Sequence, residues 1–151
     1  MTRAAWAYAD TSVLVKRYVR EPGSSEASKL TSTYTIVTSA LASVELLSAL
    51  YGKQRGGSLT ERALQRAVRL YEEERPKLTI VELTASILGR AEDVIRRVPA
   101  RTADALHLAS ALFFGEAVGL PVRFLTADVR QRASAESLGM NVIWVDSPGS
   151  R

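Results

Sequence analysis

Short apolar runs alternate along this chain with longer segments in which apolar residues recur every three or four positions. Short runs rich in β-branched residues are typical of buried strands, and the longer period is typical of amphipathic helices. The pattern predicts five strands, at 4–9, 35–38, 78–83, 122–126 and 141–145. It predicts helices at 11–19, 24–31, 40–51, 59–75, 85–98, 103–117 and 128–138.

Polar residues mark the boundaries of these elements. Asp10, Ser39, Thr84 and Thr102 each precede a helical segment and are residue types that cap helix N-termini. The polar stretch 52–57 contains three glycines and is predicted to be a loop.

Alternating strands and helices predict an α/β fold: a three-layer α/β/α sandwich around a mainly parallel five-stranded sheet. The 151 residues suit one domain, predicted at 1–146, with 147–151 as a short flexible tail. Ligands of such sheets bind beyond the carboxyl ends of the strands, where the strand order reverses. Asp10 ends the first strand and Asp128 lies two residues past the fourth, so we expect both at that edge.

Four of the 16 acidic residues stand in apolar surroundings. Asp10 lies between an apolar strand and an apolar helix, and Asp128 could likewise be a helix cap. Glu45 lies in a helix that is apolar nearly all round, where an unpaired carboxylate would cost several kcal/mol, so it requires a cation, an arginine or a proton. Asp104 heads a core-facing stripe that continues through His107. Caps and a buried salt bridge explain one or two of these acids, whereas one shared metal site explains all four.

The absence of cysteine and the single histidine restrict the kind of metal. A site built from carboxylates favours a hard cation, Mg²⁺ or Mn²⁺, over zinc. Such a cation can orient a phosphodiester, polarise its oxygens and activate a water molecule. The residue types do not distinguish one ion from two.

The net charge of +4 suits a polyanionic partner such as RNA. Arg101, Lys16 and Arg130 are candidates for phosphate contacts, although each is equally well explained as a solvated surface charge. No apolar stretch approaches the roughly 18 residues of a membrane span, and Asp10 interrupts the only apolar run near the start. We therefore expect no membrane association and a cytoplasmic location.

Four segments resemble the PIN-domain nucleases in order and approximate spacing: 9–12 (ADTS), Glu45 in its apolar helix, 104–109 (DALHLA) and 125–128 (LTAD). The resemblance spans essentially the whole chain and is strongest to VapC-type toxin ribonucleases. It implies Mg²⁺- or Mn²⁺-dependent RNA cleavage, inhibition by a small VapB-like antitoxin, and a homodimer. It also implies that Asp10, Glu45, Asp104 and Asp128 are the catalytic and metal-binding acids, assisted by Ser12 and Thr126.

Other functions remain open at this stage. The chain could be a housekeeping PIN nuclease in RNA processing, or a non-catalytic RNA- or protein-binding module stabilised by a metal. A haloacid-dehalogenase-like phosphatase would require a second aspartate two positions after Asp10, where this chain has Ser12, and no glycine-rich phosphate loop is present. His107 is predicted to be a hydrogen-bonded structural residue rather than a general base.

Overall fold

The computed structural model describes residues 5–145 and contains a five-stranded, fully parallel sheet in the order β3-β2-β1-β4-β5. The strands are β1 (Trp6–Ala9), β2 (Thr35–Ser39), β3 (Thr79–Val81), β4 (Arg123–Thr126) and β5 (Val142–Trp144). The helices are α1 (Thr11–Tyr18), α2 (Ser24–Thr33), α3 (Leu41–Arg55), α4 (Glu61–Glu74), α5 (Ala85–Arg97), α6 (Thr102–Val118) and α7 (Val129–Ser137). The predicted α/β sandwich is confirmed.

Alternation along the central strand divides the core into two layers. Ala7 and Ala9 pack with α1, α3 and α4, whereas Tyr8, between them, packs with α5 and α6 on the opposite face. Ala7, Tyr8 and Ala9 are completely buried on the two faces of β1, which explains why the sequence of this strand is apolar throughout rather than alternating.

The strand order reverses between β1 and β4. The chain runs outward from β1 to β2 and β3, and then returns to place β4 on the other side of β1, with Ala9 paired to Leu125. The residues that follow these two strands therefore meet at the carboxyl edge of the sheet, which is the position where doubly wound sheets bind ligands.

Helix α6 contains the longest unbroken run of buried residues among the described helices. All seven residues from Ala105 to Ala111 are buried, because the helix lies between the sheet and α5. It ends at Gly119, whose φ of +66° is a left-handed conformation that glycine adopts at little cost. Despite this apolar character, no helix in residues 5–145 is long and apolar enough to cross a membrane.

Most boundaries differ from the sequence-based predictions by one or two residues, and three differences concern a predicted loop or cap. Helix α3, which packs against α4, continues through Gly52 to Arg55, so the predicted loop at 52–57 begins only at Gly56. Thr102 is the first residue of α6 rather than its cap, and Arg101 precedes it without a side-chain capping bond. Ser39 belongs to β2, although its hydroxyl still accepts a hydrogen bond from the Leu41 amide at 3.1 Å. The proposed tail, 147–151, lies outside the described residues.

Candidate active site

Asp10 is fixed at the switch point of the sheet by two hydroxyls. Its carboxylate accepts hydrogen bonds from Ser12 Oγ at 2.5 Å and from Thr126 Oγ1 at 2.5 Å, and it caps α1 by accepting from the Val13 amide at 3.4 Å. Only 4% of the residue is exposed. Thr126 ends β4 and Ser12 lies in the first turn of α1, directly after β1, so the adjacency of β1 and β4 produces this cluster. The expected proximity of Asp10, Ser12 and Thr126 is what the structure shows.

Glu45 is held by a chain of hydrogen bonds that reaches the core. His107 Nε2 lies 2.5 Å from Glu45 Oε1, and Thr11 Oγ1 donates to the same oxygen at 2.8 Å. The other ring nitrogen, Nδ1, lies 2.7 Å from the hydroxyl of buried Tyr8. In the neutral imidazole, Nε2–H donates to Glu45 and Nδ1 accepts from Tyr8. Glu45 therefore has a histidine partner, but the expected burial all round α3 is wrong: 29% of the Glu45 side chain is exposed, and α3 leaves Val44 and Leu47 at the surface.

Asp104 and Asp128 line the same cleft as Glu45. The cleft has a volume of about 520 Å³ and is bounded by these three acids together with Arg101 and Arg130. Asp104 is carried by the first turn of α6, and Asp128 caps α7 by accepting hydrogen bonds from the Arg130 and Gln131 amides at 2.8 and 3.1 Å. Asp128 is thus both a helix cap and part of the cleft wall.

The carboxylates differ in how strongly they resist ionisation. Burial raises the pKa of Asp10, and only part of this is offset by the charge of His107 and the bonds from Ser12 and Thr126. Partial burial and then the charge of Asp128 raise the pKa of Asp104. The pKa of Glu45 is instead lowered: partial burial acts to raise it, but the bond and charge of His107 and the Thr11 bond outweigh that effect.

Two of the three predicted phosphate-binding cations reach the cleft. Arg101 and Arg130 both line it. Lys16 does not: its ammonium pairs with Glu21 at 3.2 Å and donates to the Pro22 carbonyl at 2.8 Å, in a separate cleft beside α2. The structure therefore does not bring Lys16 to the acids.

The donor chemistry of this edge suits a hard divalent cation. All four predicted acids lie at the carboxyl end of the sheet or line the cleft there, and they offer only oxygen atoms. Across residues 5–145, however, no three Asp, Glu, His or Cys side chains are grouped closely enough to hold a metal ion between them. The acids surround a common space, and a bound cation would require some of their side chains to turn towards it.

Sequence reasoning did not assign Thr11 and Tyr8 to the site. Thr11 bonds to Glu45, and Tyr8 bonds to His107. The sequence indicated only that His107, three residues after Asp104, lies on the same side of α6 as that acid. The partner of His107 comes from β1, which no local pattern reveals.

The chain was compared with known proteins. Residues 7–137 match the family model of the PIN domain. The chain is 35% identical over 137 residues to ribonuclease VapC46 of Mycobacterium tuberculosis, covering 90% of this chain and 95% of that protein. It is 40% identical over 110 residues to ribonuclease VapC45 of the same species, covering 72% and 76%. A toxin–antitoxin complex from Klebsiella pneumoniae contains a chain of the same fold, with a TM-score of 0.62 at 16% identity, covering 93% of this chain and 98% of that one.

The fold and the acidic edge define a nuclease-like α/β domain, and the chain belongs to the PIN-domain family. Its curated relatives are VapC ribonucleases, so the resemblance noted in the sequence is confirmed. Membership of this family implies the use of a divalent metal ion.

Proposed function

We propose that this protein is a Mg²⁺- or Mn²⁺-dependent endoribonuclease and the toxin of a VapBC-like toxin–antitoxin pair. The observation that carries the proposal is the cleft at the carboxyl edge of the sheet, which is lined by Glu45, Asp104 and Asp128 and lies beside buried Asp10. Its two arginines provide the positive charge that an RNA phosphate requires. The relatives named as ribonucleases and the fold of the toxin–antitoxin chain support the same conclusion.

The four acids, Asp10, Glu45, Asp104 and Asp128, would hold the cation. When bound, the cation supplies Lewis-acid polarisation of the phosphodiester and lowers the pKa of water. Ser12 and Thr126 hold the Asp10 carboxylate in one orientation by donating to both of its oxygens. Asp10 is thus held in place before a cation binds, whereas other acids of the cleft would have to turn towards it.

Arg101 and Arg130 bind and orient the substrate. Both arginines line the acidic cleft, where their guanidinium groups would contact phosphate oxygens of the RNA. They also offset the repulsion between the acidic residues and the RNA backbone. His107 is a positioning residue, because its Nε2–H is engaged by Glu45 and its Nδ1 by Tyr8.

An antitoxin would neutralise this site by charge. The acids present a concentrated negative surface in the absence of metal, and a partner segment carrying arginine could pair with two carboxylate oxygens at once. We propose that a VapB-like antitoxin inserts such a segment into the cleft. A homodimer remains a prediction from the family resemblance.

Cleavage of single-stranded RNA by purified variants tests the proposal. With Mg²⁺ or Mn²⁺ the parent should cut, and with EDTA it should not. Asp10→Asn and Asp104→Asn should abolish cleavage, whereas the matched control Asp93→Asn, at an exposed position of α5, should leave it unchanged. Full activity in EDTA, or equal activity in Asp104→Asn and Asp93→Asn, would refute the proposed site.

A further inference from the structure

A second pocket opens directly from the acidic cleft. It has a volume of about 460 Å³ and shares Arg101, Asp104 and Arg130 with the cleft. Beyond these three residues its walls are formed by the α5–α6 connection and by one side of α7, and are made of Pro99, Ala100, Ala133, Ser134 and Ser137. Anything that lies across the acids therefore has a route into this pocket.

The walls are apolar and the charges lie at the mouth. Proline, alanine and serine side chains present mostly carbon atoms with a few hydroxyls, whereas Arg101 and Arg130 stand where the pocket meets the acidic cleft. Neither arginine takes part in an ion pair within residues 5–145. The pocket thus combines a largely apolar interior with two arginines and the Asp104 carboxylate at its entrance, a net positive set of charges.

Two hydrogen bonds hold the walls at a fixed separation. Ser134 Oγ on α7 donates to the Pro99 carbonyl at 2.6 Å and so joins α7 to the α5–α6 connection. Gln131 Nε2, also on α7, donates to the Asp104 carbonyl at 3.2 Å and ties α7 to α6. The pocket is therefore preformed, and its volume lies in the range of about 300–1,000 Å³ that is usual for small-molecule sites.

We propose that this pocket, named here the α6–α7 pocket, binds the unpaired nucleobase next to the scissile phosphate. This inference rests on the proposed function, since it takes the acids as the place of cleavage. A nucleotide has the same distribution of chemistry as the pocket: a planar, largely apolar base and a phosphate with negative charge. Proteins read single-stranded RNA by taking up unstacked bases in this way, with stacking on apolar or guanidinium surfaces and hydrogen bonds to the base edge.

The fit assigns a role to each part of the α6–α7 pocket. The base lies between the 99–100 segment and α7, and its phosphate lies at the mouth against Arg101 and Arg130. The hydroxyl of Ser137 and the free lone pairs of Ser134 Oγ are the groups that can discriminate among base edges. The α6–α7 pocket is thus a specificity-determining site separate from the acids that carry out cleavage.

Ala133 provides the test, because it lines the α6–α7 pocket from the exposed side of α7 and has no role in the core. Ala133→Leu fills the pocket without altering a charge, and Ala133→Ser is the matched control that keeps the space open. Both variants should melt like the parent. Isotope-labelled parent, Ala133→Ser and Ala133→Leu proteins are each titrated with the four ribonucleoside 5′-monophosphates and followed by the amide signals of Ala100, Ser134 and Ser137.

The parent and Ala133→Ser should show shifts at these amides, and Ala133→Leu should bind about tenfold or more weakly, as expected when one base loses its stacking contacts. In a second arm, cleavage of an RNA pool with randomised positions is followed by sequencing of the product ends. The parent should prefer certain bases at one position next to the cut, and Ala133→Leu should lose that preference while still cutting. Ala133→Ser should keep it.

The outcomes separate the pocket from the nuclease activity. Nucleotide-induced shifts that disappear in Ala133→Leu, together with no cleavage by the parent, would support the pocket and refute the proposed function. Absence of shifts in the parent, or an unchanged base preference in Ala133→Leu, would overturn the pocket while leaving the nuclease proposal intact. If Ala133→Leu cleaves RNA as the parent does but is no longer inhibited by a co-expressed antitoxin, the pocket binds a segment of the antitoxin. That result would overturn the proposal that it binds a nucleobase.

Discussion

Replacing Tyr8 by phenylalanine removes one oxygen atom from the centre of the fold and leaves the ring in place. The Tyr8 side chain is fully buried, and its hydroxyl lies 2.7 Å from Nδ1 of His107, which is itself only 2% exposed. The ring of Tyr8 also stacks on Phe124 with the ring centroids 5.4 Å apart, within the range of about 4.5–7 Å that is usual for aromatic pairs. Phenylalanine preserves this stacking, so the change isolates the hydrogen bond.

The loss of stability in Tyr8→Phe arises because Nδ1 of His107 is left without a hydrogen-bond donor. The hydroxyls of Ser110 and Thr38 each donate to a backbone carbonyl at 2.7 Å and keep that partner in the variant. The lost hydrogen bond is therefore the one to His107. A buried acceptor left without a donor costs about 1–3 kcal/mol. At this chain length each kcal/mol corresponds to about 2–4 °C in Tm, so the variant should melt several degrees lower.

Thermal and urea unfolding of Tyr8→Phe and Tyr51→Phe form a matched comparison. Tyr51 is 37% exposed, so loss of its hydroxyl should change the free energy of unfolding by no more than about 0.5 kcal/mol. In a His107→Gln background, Tyr8→Phe should cost less than in the parent, because the two groups are coupled. Equal melting of Tyr8→Phe and the parent, or additive costs in the double variant, would refute the Tyr8–His107–Glu45 chain.

Four further predictions concern the acids and the partner. His107→Gln should reduce RNA cleavage by much less than Asp10→Asn does, measured as kcat/KM on one RNA. In EDTA, the free energy of unfolding of Asp104→Asn should exceed that of the parent by about 0.5–1 kcal/mol after allowance for solvent screening, and the variant should melt slightly higher. Asp93→Asn should show no such gain. Because folding raises the pKa of Asp104, its ionisation opposes folding. The advantage of Asp104→Asn in EDTA should therefore be greatest near neutral pH and shrink as the pH falls towards about 4, and an advantage that grows on acidification would contradict this sign. Excess Mg²⁺ should raise the Tm of the parent more than that of Asp104→Asn, following RT ln(1 + [L]/Kd), and equal responses would argue against a shared site. Expression of the parent should arrest growth and co-expression with a neighbouring antitoxin gene should relieve it, whereas the absence of arrest would favour a housekeeping nuclease.

The element order and the parallel sheet followed from local signals, because each strand and helix has its own hydrophobic period. Asp10 and Asp128 were recognisable as edge residues since a residue that follows a parallel strand must lie at the carboxyl edge. Both also cap helices, so the structural and functional interpretations were never exclusive at these positions.

Contacts between segments that are distant along the chain could not be predicted from local sequence patterns. The pairing of His107 with Glu45 depends on how α6 and α3 cross the sheet edge, and the exclusion of Lys16 from the cleft depends on its pairing with Glu21. The α6–α7 pocket is formed by small residues such as Ala100 and Ala133, which have no distinctive chemistry in sequence. Tertiary packing alone assembles these features.

The ends of the RNA products test the central claim most directly. If the acids promote attack by water, cleavage in Mg²⁺ or Mn²⁺ must leave a 5′-phosphate and a 3′-hydroxyl, because the 2′-hydroxyl of the substrate takes no part. End-specific ligation and mass spectrometry of products from the parent, with Asp104→Asn as the inactive control, distinguish the possibilities. A 5′-phosphate that appears only with metal is the predicted result, and a 2′,3′-cyclic phosphate formed in EDTA would contradict the account.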